Sequence, residues 1–146
     1  MRLSIVLVLM ILGTVRAGSG ETPPQVSDPI AVISHGEKID LAEWTCPGKV
    51  TIFDFYSRDC PPCRKLKPEL IEAVSRDPGV CLRVVDIDRP GLRGIDMLSP
   101  VARQYSLEFL PHLVVFDREG REMAVGDVAR EMISGWLAKG TPLQPN

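Results

Sequence analysis

The chain has 146 residues, 45% of them hydrophobic and 25% charged, with 17 Lys and Arg against 19 Asp and Glu. That length suits one domain with a real core, and no long basic run supports nucleic-acid binding. Four cysteines, Cys46, Cys60, Cys63 and Cys81, leave structural disulfides, a metal site or a redox centre open.

The first segment opens Met1-Arg2, runs uncharged from Leu3 to Val15, and reaches Val15-Arg16-Ala17 before Gly18. A basic start, a short apolar run and a small-residue cleavage pattern predict a signal peptide over residues 1–17. The apolar run is short of the roughly 20 residues of a spanning helix; an uncleaved anchor is the alternative. Without residues 1–17, which include Arg2 and Arg16 and no acid, 129 residues remain with 15 basic and 19 acidic side chains, a net −4. The expectation is an exported protein, periplasmic or secreted, without stable membrane insertion after cleavage. Residues 18–29 are rich in Gly, Ser, Thr and Pro and read as a flexible linker, residues 30–140 as the folded domain, and residues 141–146 as a loose tail.

Within the domain, Ile30–Ile33 and Lys38–Leu41 flank His35-Gly36-Glu37, the pattern of two short strands about a turn. Val50–Tyr56 is β-branched and aromatic, a strand. Leu66, Leu70, Ile71, Ala73 and Val74 recur at helical spacing and predict a helix over Pro61–Arg76, stopped by Asp77-Pro78-Gly79. Val80–Ile87 is a second buried-type strand, and Ser99-Pro100 starts a helix through Tyr105. Leu113–Phe116 and Glu122–Val125 form a hairpin across Asp117–Gly120, and Asp127 caps a final helix. This order predicts an α/β domain: a mixed central sheet with helices on both faces.

The close cysteine pair, Cys60-Pro61-Pro62-Cys63, falls where the Val50 strand passes into a helix. Cys60 would stand at the N-cap and Cys63 one turn in. Unpaired N–H groups and the positive end of the helix dipole favour a thiolate at Cys60, below the ~8.5 of a free thiol. Pro61 and Pro62 fit a first turn that needs no N–H partner, and they stiffen the link between the sulfurs. The expected geometry is one exposed, ionised nucleophile and one shielded thiol. Asp54, six residues before Cys60, breaks the apolar pattern of its strand. A buried carboxyl there should have a raised pKa and could move a proton for Cys63; the rival role is a salt-bridged structural acid.

The run Asp54-Phe55-Tyr56-Ser57-Arg58-Asp59-Cys60-Pro61-Pro62-Cys63 resembles the active-site strand and turn of the thioredoxin superfamily. Pro68 stands where thioredoxins have their helix-kinking proline, Leu110-Pro111-His112-Leu113-Val114-Val115-Phe116 resembles their cis-proline segment, and Gly126 precedes the last helix. The resemblance covers Val50–Lys139, and the predicted N-terminal hairpin with Ser-Pro-Val-Ala-Arg-Gln-Tyr looks most like the exported TlpA-like members. It implies a thioredoxin-like fold and a protein-disulfide oxidoreductase without a cofactor. Cys60 would attack a substrate disulfide, Cys63 would resolve the mixed disulfide, and Asp54 would serve as base. Leu110, Pro111, Pro61 and Pro62 would border the substrate, with Pro111 cis and the Leu110 backbone free to pair with an extended segment. The partners would be protein thiols and disulfides, with an upstream electron donor such as a membrane thiol reductase. The TlpA-like likeness suggests a reductant serving cytochrome c maturation or metal-site assembly; an oxidant or isomerase is the alternative.

Three departures accompany the likeness. Asp59 replaces the tryptophan usual before the first cysteine, no lysine clearly matches the usual partner of the buried acid, and Arg89–Leu98 is longer than in a minimal thioredoxin. Cys46 precedes the Val50 strand and Cys81 opens the Val80 strand, and by the same resemblance these strands are parallel neighbours. That puts a candidate structural disulfide at the end opposite the Cys60–Cys63 redox pair, worth about 2–4 kcal/mol. A buried free thiol at Cys81 with a loose Cys46 is the alternative. A zinc ribbon would need two close cysteine pairs where this chain has one, and neither His35 nor His112 adds a ligand spacing, so no metal site is expected. A non-catalytic binding module is the remaining class, disfavoured by retention of both Cys60 and Cys63.

Overall fold

The computed structural model describes residues 27–140 and Leu143; the expected signal peptide, most of the linker and most of the tail lie outside the described residues. In chain order come β1 (Ile30–His35), a 3-10 turn (Leu41–Trp44), β2 (Val50–Tyr56), α1 (Pro61–Arg76), β3 (Val80–Asp86), α2 (Pro100–Gln104), β4 (His112–Phe116), β5 (Glu122–Val125) and α3 (Gly126–Lys139). The sheet order is β1-β3-β2-β4-β5. β1, β3 and β2 run parallel, and β4 and β5 antiparallel to their neighbours.

The three central strands, β3, β2 and β4, are buried over nearly their whole length because both faces of the sheet are covered. Apart from a few polar positions such as Asp54 and Arg83 they are apolar. On one face Ile52, Leu82, Val84 and Val115 pack against Leu70, Ala73 and Val74 of α1 and Ala129, Ile133 and Trp136 of α3. On the other, Phe53, Phe55, Val85 and Phe116 pack against Leu41 of the 3-10 turn, Val101 and Ala102 of α2, and Leu107. Helical structure therefore lies on both faces of a mixed sheet.

Two local expectations are corrected. Lys38–Leu41 is not a strand, so the N-terminal hairpin does not form. Asp40 caps the 3-10 turn by accepting from Ala42 N–H at 3.0 Å. The backbone of Ile39 is held by side chains of the α2 region, its N–H by Gln104 Oε1 at 3.1 Å and its carbonyl by Tyr105 Oη at 3.0 Å. β1 instead pairs parallel with β3. Asp127 is not the cap of α3 either: the chain passes from β5 into the helix at Gly126, whose φ of +61° favours glycine. The helix thus begins one residue before Asp127, whose carboxylate accepts from Arg130 at 2.6 Å.

Candidate active site

β2 delivers the chain to the end of the sheet where α1 starts. Cys60 is the N-cap of α1 in extended conformation, its Sγ accepts from Cys63 N–H at 3.3 Å, and Pro61 and Pro62 take the first helical positions. The two sulfurs are joined in a disulfide with Cα atoms 5.3 Å apart. The expected exposed nucleophile is not seen in this oxidised form: Cys60 is 2% exposed and Cys63 fully buried, while Pro61 and Pro62 stand in solvent. With both sulfurs in buried residues, Pro61 and Pro62 are the exposed residues between them.

Asp54 is fully buried on the α1 face of β2, opposite Val84 of β3, and both carboxyl oxygens are without a hydrogen-bond partner. Burial pushes its pKa up from 3.8 to about 7, and the charge of Lys67 pulls it the other way. The cation that acts on Asp54 is Lys67 of α1, whose Nζ lies 4.3 Å from the centre of the Tyr56 ring, while the β3 residue opposite Asp54 is Val84. Lys67 follows Cys63 by four and precedes Leu70 by three, so it flanks the buried residues of α1 while itself only half-buried.

β4 brings the second wall. Phe55 pairs with His112, so the start of β4 reaches the same sheet end as the exit of β2. The Leu110–Pro111 bond is cis, and both residues are half-buried. His112 packs edge-on to Phe55 and against Phe109; burial and the Arg130 charge lower its pKa, so it is neutral near pH 7. Phe109 is 42% exposed beneath the Arg130 guanidinium.

The long segment after β3 folds onto the turn before Cys60. Buried Asp88 accepts from Ser57 Oγ at 2.9 Å, Arg58 N–H at 3.1 Å and Asp96 N–H at 3.2 Å. Arg89 makes a two-pronged contact with Asp96 at 2.6 and 3.1 Å. Asp59, in the place of the usual tryptophan, accepts from Gly94 N–H at 2.7 Å, and Arg58 donates to the Leu92 carbonyl at 2.9 Å. The departures at Asp59 and Arg89–Leu98 are thus two halves of one contact, which leaves Leu92, Ile95 and Leu98 exposed.

At the far end of the sheet Cys46 and Cys81 form a second disulfide, Cα atoms 6.6 Å apart. Sequence reading missed its neighbour Arg83, an arginine inside the apolar run of β3, which is 2% exposed and donates to Cys46 Sγ at 2.8 Å. Among the described residues no group of three or more His, Cys, Asp or Glu side chains could hold a metal ion, and no helix is long and apolar enough to cross a membrane.

A family model described as a thioredoxin-like domain matches residues 38–141. The chain is similar to a thioredoxin H-type of Fagopyrum esculentum, 33% identical over 76 residues that cover 52% of this chain and 58% of that protein. It is also similar to the thiol-disulfide oxidoreductase ResA of Bacillus cereus, 28% identical over 126 residues, 74% of this chain and 72% of that one. The solved structure of thioredoxin O2 from Arabidopsis thaliana superposes with a TM-score of 0.52 at 21% identity, covering 77% of this chain and 96% of that one, a likeness of fold. Alignment spans 58% and 54% of the two H-type thioredoxins of F. esculentum and Oryza sativa.

Proposed function

Since the chain belongs to the thioredoxin-like domain family, we propose that it is an exported thiol–disulfide oxidoreductase that exchanges disulfides with proteins through Cys60 and Cys63, running as a reductant in the manner of the TlpA-like members. The observation that carries this reading is a disulfide at the N-terminus of α1, reached by a strand that buries an unpartnered carboxyl at Asp54.

In the reduced protein the helix N-terminus favours the thiolate at Cys60. That thiolate attacks a client disulfide, forming a Cys60–client bond and expelling the client's other sulfur as a thiol. Asp54, whose pKa burial pushes up to about 7, takes the proton of Cys63. The Cys63 thiolate then attacks Cys60 Sγ, the client's second sulfur leaves, and the two electrons have passed from Cys60 and Cys63 to the client. Leu110, Pro111, Pro61 and Pro62 border the client, with the Leu110 backbone offered to an extended segment. A thiol reductase in the membrane would recharge the pair. The signal-like pattern of residues 1–17 and the likeness to ResA support export and this class of chemistry.

Direction is tested by equilibrating the Cys60–Cys63 couple in glutathione or dithiothreitol buffers. A reductant should lie nearer to the ~−270 mV of thioredoxin than to the ~−120 mV of a strong oxidant. A value at the oxidising end would make the protein a disulfide donor. Export is tested by N-terminal sequencing of the secreted form, expected to begin at Gly18; a chain retained in the cytosol would contradict it.

A further inference from the structure

We propose that the Cys46–Cys81 bridge is a second reducible couple, in which Cys46 is the exchanging thiolate and Arg83 the cation that holds it. The bridge joins the loop before β2 to the start of β3, at the sheet end opposite Cys60. Each sulfur has its own polar neighbour, and the two neighbours differ. Arg83 donates to Cys46 Sγ at 2.8 Å. Thr51 Oγ1 lies 3.5 Å from Cys81 Sγ and also accepts from Cys46 N–H at 2.9 Å.

Arg83 is fixed in place. It donates to the carbonyls of Trp44 at 3.2 Å and Asp28 at 2.9 Å, and burial of its guanidinium lowers its pKa, with the Asp28 charge acting the other way. An arginine stays protonated at neutral pH even so. In the disulfide neither sulfur bears a charge, and the contact with Arg83 is weak. Once the bond is broken, a Cys46 thiolate beside the guanidinium gains a charge-assisted hydrogen bond. Cys81, beside a hydroxyl, remains a neutral thiol. The cation therefore stabilises the reduced form over the oxidised one, which makes the bridge easier to open.

Cys46 keeps 8% of its surface and Cys81 none, so an incoming dithiol meets Cys46 first. Its thiolate attacks Cys46 Sγ, the Cys46–Cys81 bond breaks, and Cys81 leaves and takes a proton from water. The second thiolate of the reductant then attacks its own mixed-disulfide sulfur and expels Cys46 as the thiolate that Arg83 receives. The dithiol ends as a disulfide, having given two electrons to the bridge. Its class is a dithiol small enough, or on a loop exposed enough, to reach the loop before β2.

The test uses the full chain with Cys60→Ser and Cys63→Ser, which leaves this couple alone. Graded dithiothreitol, acid quench, alkylation and mass spectrometry should show Cys46 and Cys81 reduced without denaturant and with an unchanged circular dichroism spectrum. In the reduced protein, iodoacetamide at pH 6.5 should label Cys46 about tenfold faster than Cys81, with little further gain up to pH 8. Arg83→Met should slow Cys46 labelling about tenfold at pH 6.5 but not at pH 9.5, and Arg83→Lys should retain most of it. Should Arg83→Met not fold, the pH profile with Arg83 in place decides. A bridge that opens only in denaturant, or a Cys46 rate still climbing steeply through pH 8, overturns the proposal.

Discussion

Asp54 is where a single side chain sets two properties of the molecule. Its carboxyl is buried without a partner, and its pKa rises from 3.8 to about 7 on folding. Between those values the folded state keeps a proton that the unfolded state has lost, so the contribution of Asp54 to stability is full below pH 4 and is lost as pH rises through about 7. The full loss is roughly 4 kcal/mol as an upper bound. Asp96 and Asp117, held below the usual carboxylate range, act in the opposite direction at low pH. Asp54→Asn should remove that slope, leaving stability near pH 3 little changed and raising it most above pH 7, as read by urea titrations across pH. The same substitution should slow resolution by Cys63; unchanged exchange rates from pH 6 to 9 would return Asp54 to a structural role. Lys67 opposes the shift, so Lys67→Met should move the Asp54 titration upward from about 7, observable by carboxyl NMR. The sequence made Asp54 legible because an acid breaks an otherwise apolar strand. Arg83 breaks β3 in the same way, but a side chain's partners across the sheet are set by register, which the sequence does not display. Lys67 was hidden more thoroughly, since a lysine in a helix ordinarily reads as solvent-facing.

Among the elements, β2 and α1 were the most legible, because strand, cap, prolines and apolar stripe all point to one local structure. The N-terminal segment misled for the opposite reason. The alternation in Lys38–Leu41 is compatible with a strand, but Gln104 and Tyr105, more than sixty positions away, take the backbone partners that a hairpin would need. The segment after β3 was legible as extra length and not as a clamp. Asp88 joins three donors from two segments there, so Asp88→Ala should leave them unsatisfied and cost roughly 2–3 kcal/mol. Chemical denaturation would read that loss, and Asp88→Asn should recover part of it. A loss below about 0.5 kcal/mol would mean that water replaces the carboxylate without penalty.

Over the whole molecule, the mixed sheet separates two disulfides by the length of β2, roughly 20 Å of strand. The distal one closes a separation of 35 residues. Replacing Cys46 and Cys81 together by serine should cost about 2–4 kcal/mol while leaving the fold in place, because the packed faces of the sheet do not depend on it. Thermal unfolding measures this; a variant that fails to fold would show the bridge to be essential. The proximal disulfide is the centre of the functional reading: Cys60 attacks and Cys63 resolves. The most direct measurement is to mix reduced Cys63→Ser protein with a disulfide-bonded client and map the product by mass spectrometry after acid quench. The account predicts a stable mixed disulfide at Cys60, absent when Cys60 is also replaced by serine. An adduct at another cysteine, or none while the unsubstituted protein still reduces the client, would contradict it.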